Sequence, residues 1–348
     1  TIDRIIFLRI CEDRGIEPYG ALLGLTNGAQ VYERLLLRFR HADARYNSGL
    51  FHFEPDRTRV DAPDTLTTRI AIDDRPLRDI LKNLYYPDSP YEFSVLPADI
   101  LGQVYEQFLG KVIRLQPYGA GQRAVVEEKP EVRKAGGVFY TPTFIVDAIV
   151  RETLGRLAAS AKLPTFRKSW QLSPSTNGRT PLRVADIACG SGSFLLGAYQ
   201  FLLDWHLAAY VADDARAKQW AAGRDPRIYQ TGRGDWRLTI PERKRILLDH
   251  IYGVDIDPQA VEVTKLSLLL KVLEYEPGSS TSEALTGQLA LLPERVLPDL
   301  ADNIKCGNSL IGPDFYDQGT LFPDAAMLRI NAFDWRAEFR DVMAAGGF

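Results

Sequence analysis

Cysteine is scarce in this sequence. The three present, Cys11, Cys189 and Cys306, lie far apart with no Cys-x-x-Cys spacing, which argues against a disulfide framework or a zinc site and fits a reducing cytoplasm. Histidine is as sparse. His41, His52, His206 and His250 are scattered and read as surface or packing residues rather than metal ligands. Neither sign of charge dominates: 42 Lys and Arg against 45 Asp and Glu leave a net charge of −3. A general attraction to nucleic acid is thereby excluded, and DNA binding would need a local basic surface or a part of the protein outside this chain. Long hydrophobic runs are missing too. Leu266-Ser-Leu-Leu-Leu270 is among the longest, too short to cross a bilayer, and no signal peptide is visible.

What is present is the composition of an ordinary globular protein, 348 residues with 45% hydrophobic and 25% charged, long enough for two domains. The chain begins at Thr1 without a methionine, which reads as a processed or excised piece. Ile2, Ile5, Ile6 and Ile10 recur at helical spacing, and Gly15 is placed to end that helix. Residues 31–40, 77–86 and 101–109 read as further helices, the last with Leu101, Val104, Tyr105, Phe108 and Leu109 on one face. Residues 1–115 are thus expected to form a mainly helical domain, 116–135 a linker rich in Gly, Pro and charge, and 136–348 a second domain. Pro87-Asp88 and Glu127-Glu128-Lys129 can be forced into a Mg²⁺ nuclease pattern, but such a site needs its acids on adjacent strands. Asp88 sits in a turn and Lys129 precedes Pro130 in a charged connector, so the match reads as coincidence.

The most informative stretch is Val184-Ala-Asp-Ile-Ala-Cys-Gly-Ser-Gly-Ser-Phe-Leu195, which reads as strand, tight glycine loop and helix. Gly190 and Gly192 can take positive φ and let a ligand lie against bare backbone N–H groups at the helix N-terminus. Asp186, at the strand's end, can hold a cationic or hydrogen-donating part of the same ligand. The loop lacks the third glycine of a dinucleotide fingerprint and no Gly-Lys-Ser/Thr follows, which points to a nucleoside-type cofactor instead.

Ile251-Tyr-Gly-Val-Asp-Ile-Asp-Pro258 gives a second strand, after which Pro258 starts a helix with Val261, Thr264, Leu268 and Val272 along it. Asp255 at that strand's tip can take both hydroxyls of a ribose while Ile256 covers the base. The two acids stand 255 − 186 = 69 residues apart, so an insertion over residues 212–239, of which 213–235 show no clear period, must be looped out if both serve one ligand. Asn303-Ile-Lys-Cys-Gly-Asn-Ser-Leu-Ile311 gives a third short strand. Asn308, just past its end, carries an amide that can accept from and donate to an adenine edge. Upstream, Thr141 is placed to cap a helix whose first turn tolerates Pro142, with Phe144, Ile145, Ala148, Ile149 and Leu154 as its buried face; a helix start of this kind can grip a carboxylate.

With these segments the chain resembles the amino-methylating DNA methyltransferases, specifically the large adenine-N6 enzymes of bifunctional type IIG restriction–modification and related phage-defence systems. Gly137-Val-Phe-Tyr-Thr-Pro142 resembles the family's first cofactor motif, and Asp186-Ile-Ala-Cys-Gly-Ser-Gly192 its S-adenosylmethionine loop. Gly253-Val-Asp-Ile-Asp-Pro258 is similar to its ribose motif and Cys306-Gly-Asn-Ser-Leu310 to its adenine motif. The four stand in the family's order, and the resemblance extends over most of residues 90–348. It implies an α/β, Rossmann-like S-adenosylmethionine-dependent methyltransferase fold, an incomplete doubly wound sheet preceded by a mainly helical domain. It also implies methyl transfer to adenine N6 in DNA.

By the same resemblance Thr141 would contact the methionine carboxylate and Asp186 the methionine amino end, with Gly190 and Gly192 giving the backbone around it. Asp255 would hold the ribose hydroxyls, Ile256 would stack on the adenine and Asn308 would meet its amino edge. Tyr140, Pro142, Ala188 and Phe194 complete the implied cofactor site, and no metal is implied. The implied partner is double-stranded DNA with a flipped adenine, engaged through parts beyond this chain, in the cytoplasm and away from membranes. One departure stands out. The family's catalytic signature, Asn/Asp-Pro-Pro-Tyr/Phe, which turns the N6 lone pair toward the methyl and stacks on the flipped base, occurs nowhere here. Gly346-Gly-Phe348 resembles the approach to it, so the chain is expected to hold the cofactor-binding half and no catalytic residue. Two alternatives stay open: a DNA-defence scaffold with a non-catalytic methyltransferase portion, and a methyltransferase acting on RNA or protein.

Overall fold

The structure, a computed structural model, describes residues 1–46, 50–53, 63–96, 98, 100, 102, 104, 111–119, 121–128, 141–160, 182–274, 297–317, 327 and 330–348. Helices α1 (Ile2–Asp13), α2 (Val31–Tyr46) and α3 (Asp74–Lys82) precede a hairpin of β1 (Lys111–Tyr118) and β2 (Gly121–Glu128). Then come α4 (Thr143–Val150), β3 (Val184–Asp186), α5 (Ser193–Tyr210), α6 (Asp214–Ala221), β4 (Ile228–Gln230) and β5 (Trp236–Leu238). Next follow α7 (Ile240–His250), β6 (Ile251–Asp255), α8 (Pro258–Val272) and β7 (Ile304–Cys306). The protein is mixed α/β, with a three-stranded parallel sheet of order β3-β6-β7. Ile251 to Val254 of the central β6 are all buried, the setting that an unbroken run of non-polar residues requires of a parallel strand. No described helix is long and apolar enough to cross a membrane.

The described residues fall into two compact units. The first comprises Thr1–Pro97, Tyr199–Tyr252 and Leu268–Lys305. Its early core is built on α1 and α2, where Phe7 meets Tyr46 and Phe51 edge to face at 5.1 and 5.6 Å, a preferred geometry for aromatic pairs. Gly15, at φ +70°, follows the end of α1 as expected. α2 runs six residues past position 40 because Ala42 and Tyr46 continue the buried stripe of Val31, Leu35 and Phe39. α3 ends at Lys82 rather than 86; Tyr85 turns inward and donates its hydroxyl to the buried Glu12 at 2.5 Å. Residues 212–239 form α6, capped by the Asp213 side chain on Arg216 N–H, and an antiparallel β4–β5 hairpin.

The second unit comprises Ala98–Ala198, Gly253–Ser267 and Cys306–Phe348. Across the expected boundary at 115 and into the stretch 116–135 expected as a linker, β1 and β2 pair residue for residue from Lys111↔Glu128 to Tyr118↔Gly121, with Gly119 at φ +59° in the turn. Of the helix expected at 101–109, Gly102 and Val104 are described and helical; Val104 is exposed. Leu101, Tyr105, Phe108 and Leu109 lie outside the described residues. The buried face of α4 also differs from expectation. Val146, Val150 and Leu154 are buried, whereas Phe144, Ile145, Ala148 and Ile149 are exposed. The reason is Gly197 on α5: a Cβ there would sit 2.6 Å from Val146 Cγ1 and 3.6 Å from Val150 Cγ2, so the bare backbone selects the valine stripe.

Candidate functional site

The site grows from the ends of the three parallel strands. Asp186 closes β3, and its Oδ1 accepts the N–H of Ala188 at 3.1 Å. The loop that follows bends through Gly190 at φ +54° and Gly192 at φ +87°, angles that glycine takes without the Cβ penalty. Gly190 N–H donates to Asp255 Oδ2 at 2.8 Å, and Gly192 N–H to the Cys189 carbonyl at 2.8 Å. The expectation of bare N–H groups facing a ligand is therefore corrected for Gly190 and Gly192. A loop folded this tightly must pair its own donors, so what it presents is carboxylate oxygen and close-lying backbone.

Asp255 ends β6. Its Oδ1 accepts Asp257 N–H at 2.9 Å and its Oδ2 the Gly190 N–H at 2.8 Å. A carboxylate has about four acceptor positions, so each oxygen keeps one. The Asp255 carbonyl accepts Gly307 N–H at 2.8 Å, which draws the end of β7 alongside. Asn308 comes next, its Oδ1 taking Leu310 N–H at 3.2 Å, so its amide hydrogens are what it retains for another molecule. Ser309 Oγ donates to the Ile187 carbonyl at 2.6 Å and ties the segment after β7 to the segment after β3. Asp186, Ala188, Gly190, Asp255 and Asn308 are thus brought to one end of the sheet, where Ile187, Ile256 and Leu310 leave 48%, 51% and 81% of their surface uncovered.

Gly192 leads into the first turn of α5, where Phe194 is half-buried. Thr141 is half-buried and makes no hydrogen bond among the described residues. It does not cap α4. Pro142 holds the N-cap position in an extended conformation, and its carbonyl accepts Ile145 and Val146 N–H at 2.9 and 3.2 Å. Tyr140 lies outside the described residues.

Burial pushes the Asp186 carboxyl up from its ordinary value and the charge of Asp255 adds to the rise, against the Ala188 N–H. Neither acid has a cationic partner among the described residues. Burial, with Asp255 and Asp186 beside it, also pushes the Cys189 thiol up, so this cysteine is a packing group. It lies against β6, where a Cβ at Gly253 would be 3.1 Å from its sulfur and 2.7 Å from Leu195 Cδ1. Sequence reasoning missed Ile187, Ser309 and the polar part of Thr264; a hydroxyl inside the aliphatic face of α8 was the one available signal.

Two acids with unspent acceptors, set among uncovered aliphatic side chains at the carboxyl ends of parallel strands, define an α/β protein with a candidate ligand site at its sheet end. Residues 249–348 match the family model of the Eco57I restriction-modification methylase. The chain is 31% identical, over 96% of its length, to the type II restriction enzyme and methyltransferase RM.Eco57I of Escherichia coli. It is 25% identical, over 89% of its length, to RM.MjaORFECS2P of Methanocaldococcus jannaschii, named for the same pair of activities on a provisional basis. The chain spans 28% and 27% of these two relatives. Over these lengths the chain is similar to restriction–modification methyltransferases of the Eco57I type.

Proposed function

We propose that this chain carries the S-adenosylmethionine-binding part of a Rossmann-like adenine-N6 DNA methyltransferase within a type IIG restriction–modification or phage-defence enzyme. The observation that carries this reading is the pair of strand-end acids, Asp186 and Asp255, with no cation of their own. Like charges that close are tolerable when a ligand brings the compensating charge or donors. S-adenosylmethionine brings an ammonium and two ribose hydroxyls, and the two acids fit these in turn; when bound it supplies an activated methyl group.

Asp186 would take the ammonium, whose charge would bring its carboxyl back toward the ionised form. Asp255, already oriented by the N–H groups of Gly190 and Asp257, would accept the ribose hydroxyls on its remaining lone pairs. Ile256 would lie on the base and Asn308 would turn its amide hydrogens to the adenine edge. Thr141 would meet the methionine carboxylate, with Tyr140, Pro142, Ala188 and Phe194 bordering the site. Gly190 and Gly192 would allow the close approach. No residue of this chain is assigned to methyl acceptance, and DNA with its flipped adenine would be engaged through other parts of the enzyme. The methyltransferase named in RM.Eco57I supports the reading.

Isothermal titration of the folded chain with S-adenosylmethionine tests it. One ligand per chain is expected, with Asp255→Ala weakening binding by about tenfold or more, the scale of a lost charge-assisted hydrogen bond. A folded wild-type chain that takes up no S-adenosylmethionine overturns the proposal.

A further inference from the structure

We propose that Thr264 is a positioning residue for this site: its hydroxyl latches the glycine loop to α8 and thereby sets the carboxylate of Asp255. The inference rests on reading Asp255 as the ribose acid. Thr264 is fully buried, two turns into α8. A threonine inside a helix commonly turns its hydroxyl back to a carbonyl three or four residues earlier. Thr264 instead donates to the Gly190 carbonyl at 2.8 Å, 74 residues away in sequence. The N–H of the same Gly190 donates to Asp255 Oδ2 at 2.8 Å. Gly190 is therefore held at both ends by side chains from two different elements, and Asp255, whose Oδ1 is held by Asp257 N–H, keeps the second of its two orienting bonds only while the loop stays where Thr264 fastens it.

The rest of the Thr264 side chain closes the other half of the loop. A Cβ at Gly192 would lie 2.9 Å from Thr264 Cγ2 and 3.0 Å from Oγ1, so the helix and the loop are in contact over both glycines. The hydroxyl and the methyl have separable roles, the first a hydrogen bond to the loop and the second packing against it. Thr264→Val keeps the shape and deletes the bond; Thr264→Ser keeps the bond and deletes the methyl.

Two measurements on the full chain decide the matter. The first needs no ligand: amide exchange at Gly190 is expected to speed up about tenfold in Thr264→Val, the equivalent of one hydrogen bond, and to stay near wild type in Thr264→Ser. The second is titration with S-adenosylhomocysteine and with its 2′-deoxy analogue. Thr264→Val is expected to lose about tenfold in affinity for the ribose ligand and little for the analogue, so that the preference for a ribose disappears while Thr264→Ser retains it. Equal weakening toward both ligands, or wild-type affinity in Thr264→Val, overturns the proposal, because simple loosening of the fold would not select for the 2′-hydroxyl. Should the wild-type chain bind neither ligand, the cofactor reading falls on its own. The latch is then judged by Gly190 exchange, and unchanged exchange in Thr264→Val overturns it independently.

Discussion

Asp186 faces opposed demands from stability and from binding. Burial and then Asp255 hold its carboxyl above the ordinary 3.8, so the folded chain binds that proton more tightly than the unfolded chain does. Stability from this group therefore falls as pH rises from 3.8 through the raised folded value, and the whole penalty stands at neutral pH. Asp186→Asn keeps an oxygen for Ala188 N–H and removes the charge. The ligand-free variant is expected to gain on the order of 0.5–1 kcal/mol in urea unfolding at pH 7.5, while its uptake of S-adenosylmethionine collapses. A variant less stable than the wild type would mean that the charge is already compensated. The glycines divide just as sharply. Gly192→Ala must hold a Cβ at φ +87° and 2.9 Å from Thr264, and a loss of roughly 2–4 kcal/mol is expected. Gly119→Ala, at φ +59° with nothing within 4 Å, should lose only about 1–2 kcal/mol. Equal losses at the two positions, measured side by side in urea, would rule out the packing term.

Among the elements, α7 owes its anchoring to Glu242, a fully buried carboxylate. Arg245 binds both its oxygens at 2.6 and 2.9 Å, Arg227 donates at 2.6 Å and the Tyr210 hydroxyl at 2.5 Å. Burial alone would push its carboxyl up; the hydrogen bonds and charges of Arg245, Tyr210 and Arg227 outweigh that and hold it below its ordinary value. Arg227 immediately precedes β4, so one side chain fastens both the inserted hairpin and the end of α5 to α7. Glu242→Gln leaves Arg227 without its counter-ion and Arg245 with Asp249 alone; with both guanidinium groups partly exposed, the cost should be about 2–3 kcal/mol, below that of a fully buried pair. Protection of the 228–238 amides should fall with it; loss of global stability with the hairpin still protected would contradict the anchoring role.

The same element shows where the sequence stops being readable. α1, the glycine loop and the β6–α8 junction were legible because each is periodic or punctuated by Gly or Pro, and the strand-end positions of Asp186, Asp255 and Asn308 followed from them. The three-residue strands β4 and β5 have no period to detect, and their order comes from Glu242, outside the insertion. In α4, Thr-Phe-Ile-Val-Asp-Ala-Ile-Val offers apolar residues on every side, and only Gly197 on another helix decides which face is buried. The internal pairing of the loop N–H groups and the reach of Thr264 are likewise contacts over 65 and 74 residues, beyond any local pattern.

For the molecule as a whole, acid sensitivity should come in two stages. His206 is buried and near His250, with ring centroids 5.7 Å apart. Burial first, then His250, Arg245 and Arg227, depress its pKa well below 6.5. The folded chain keeps this imidazole neutral while the unfolded chain protonates it, so its contribution is complete above pH 6.5 and is lost as pH falls below that value. The slope is about 1.4 kcal/mol per pH unit. Asp64 acts much lower. Burial opposes its ionisation, but the hydroxyl and N–H of Thr67 together with Arg4 outweigh it and hold the carboxyl at about 2, so its contribution survives down to 3.8 and disappears only between there and about 2. Urea midpoints taken at pH 7.5, 5.5 and 3 should separate the stages: a fall of roughly 1–1.5 kcal/mol by pH 5.5, then a steeper one under pH 4. His206→Leu is expected to flatten the first stage and leave the second. An unchanged slope between pH 7.5 and 5.5 in that variant would assign the first stage to another group, such as the Thr1 amino group, whose pKa burial also lowers from 8.0.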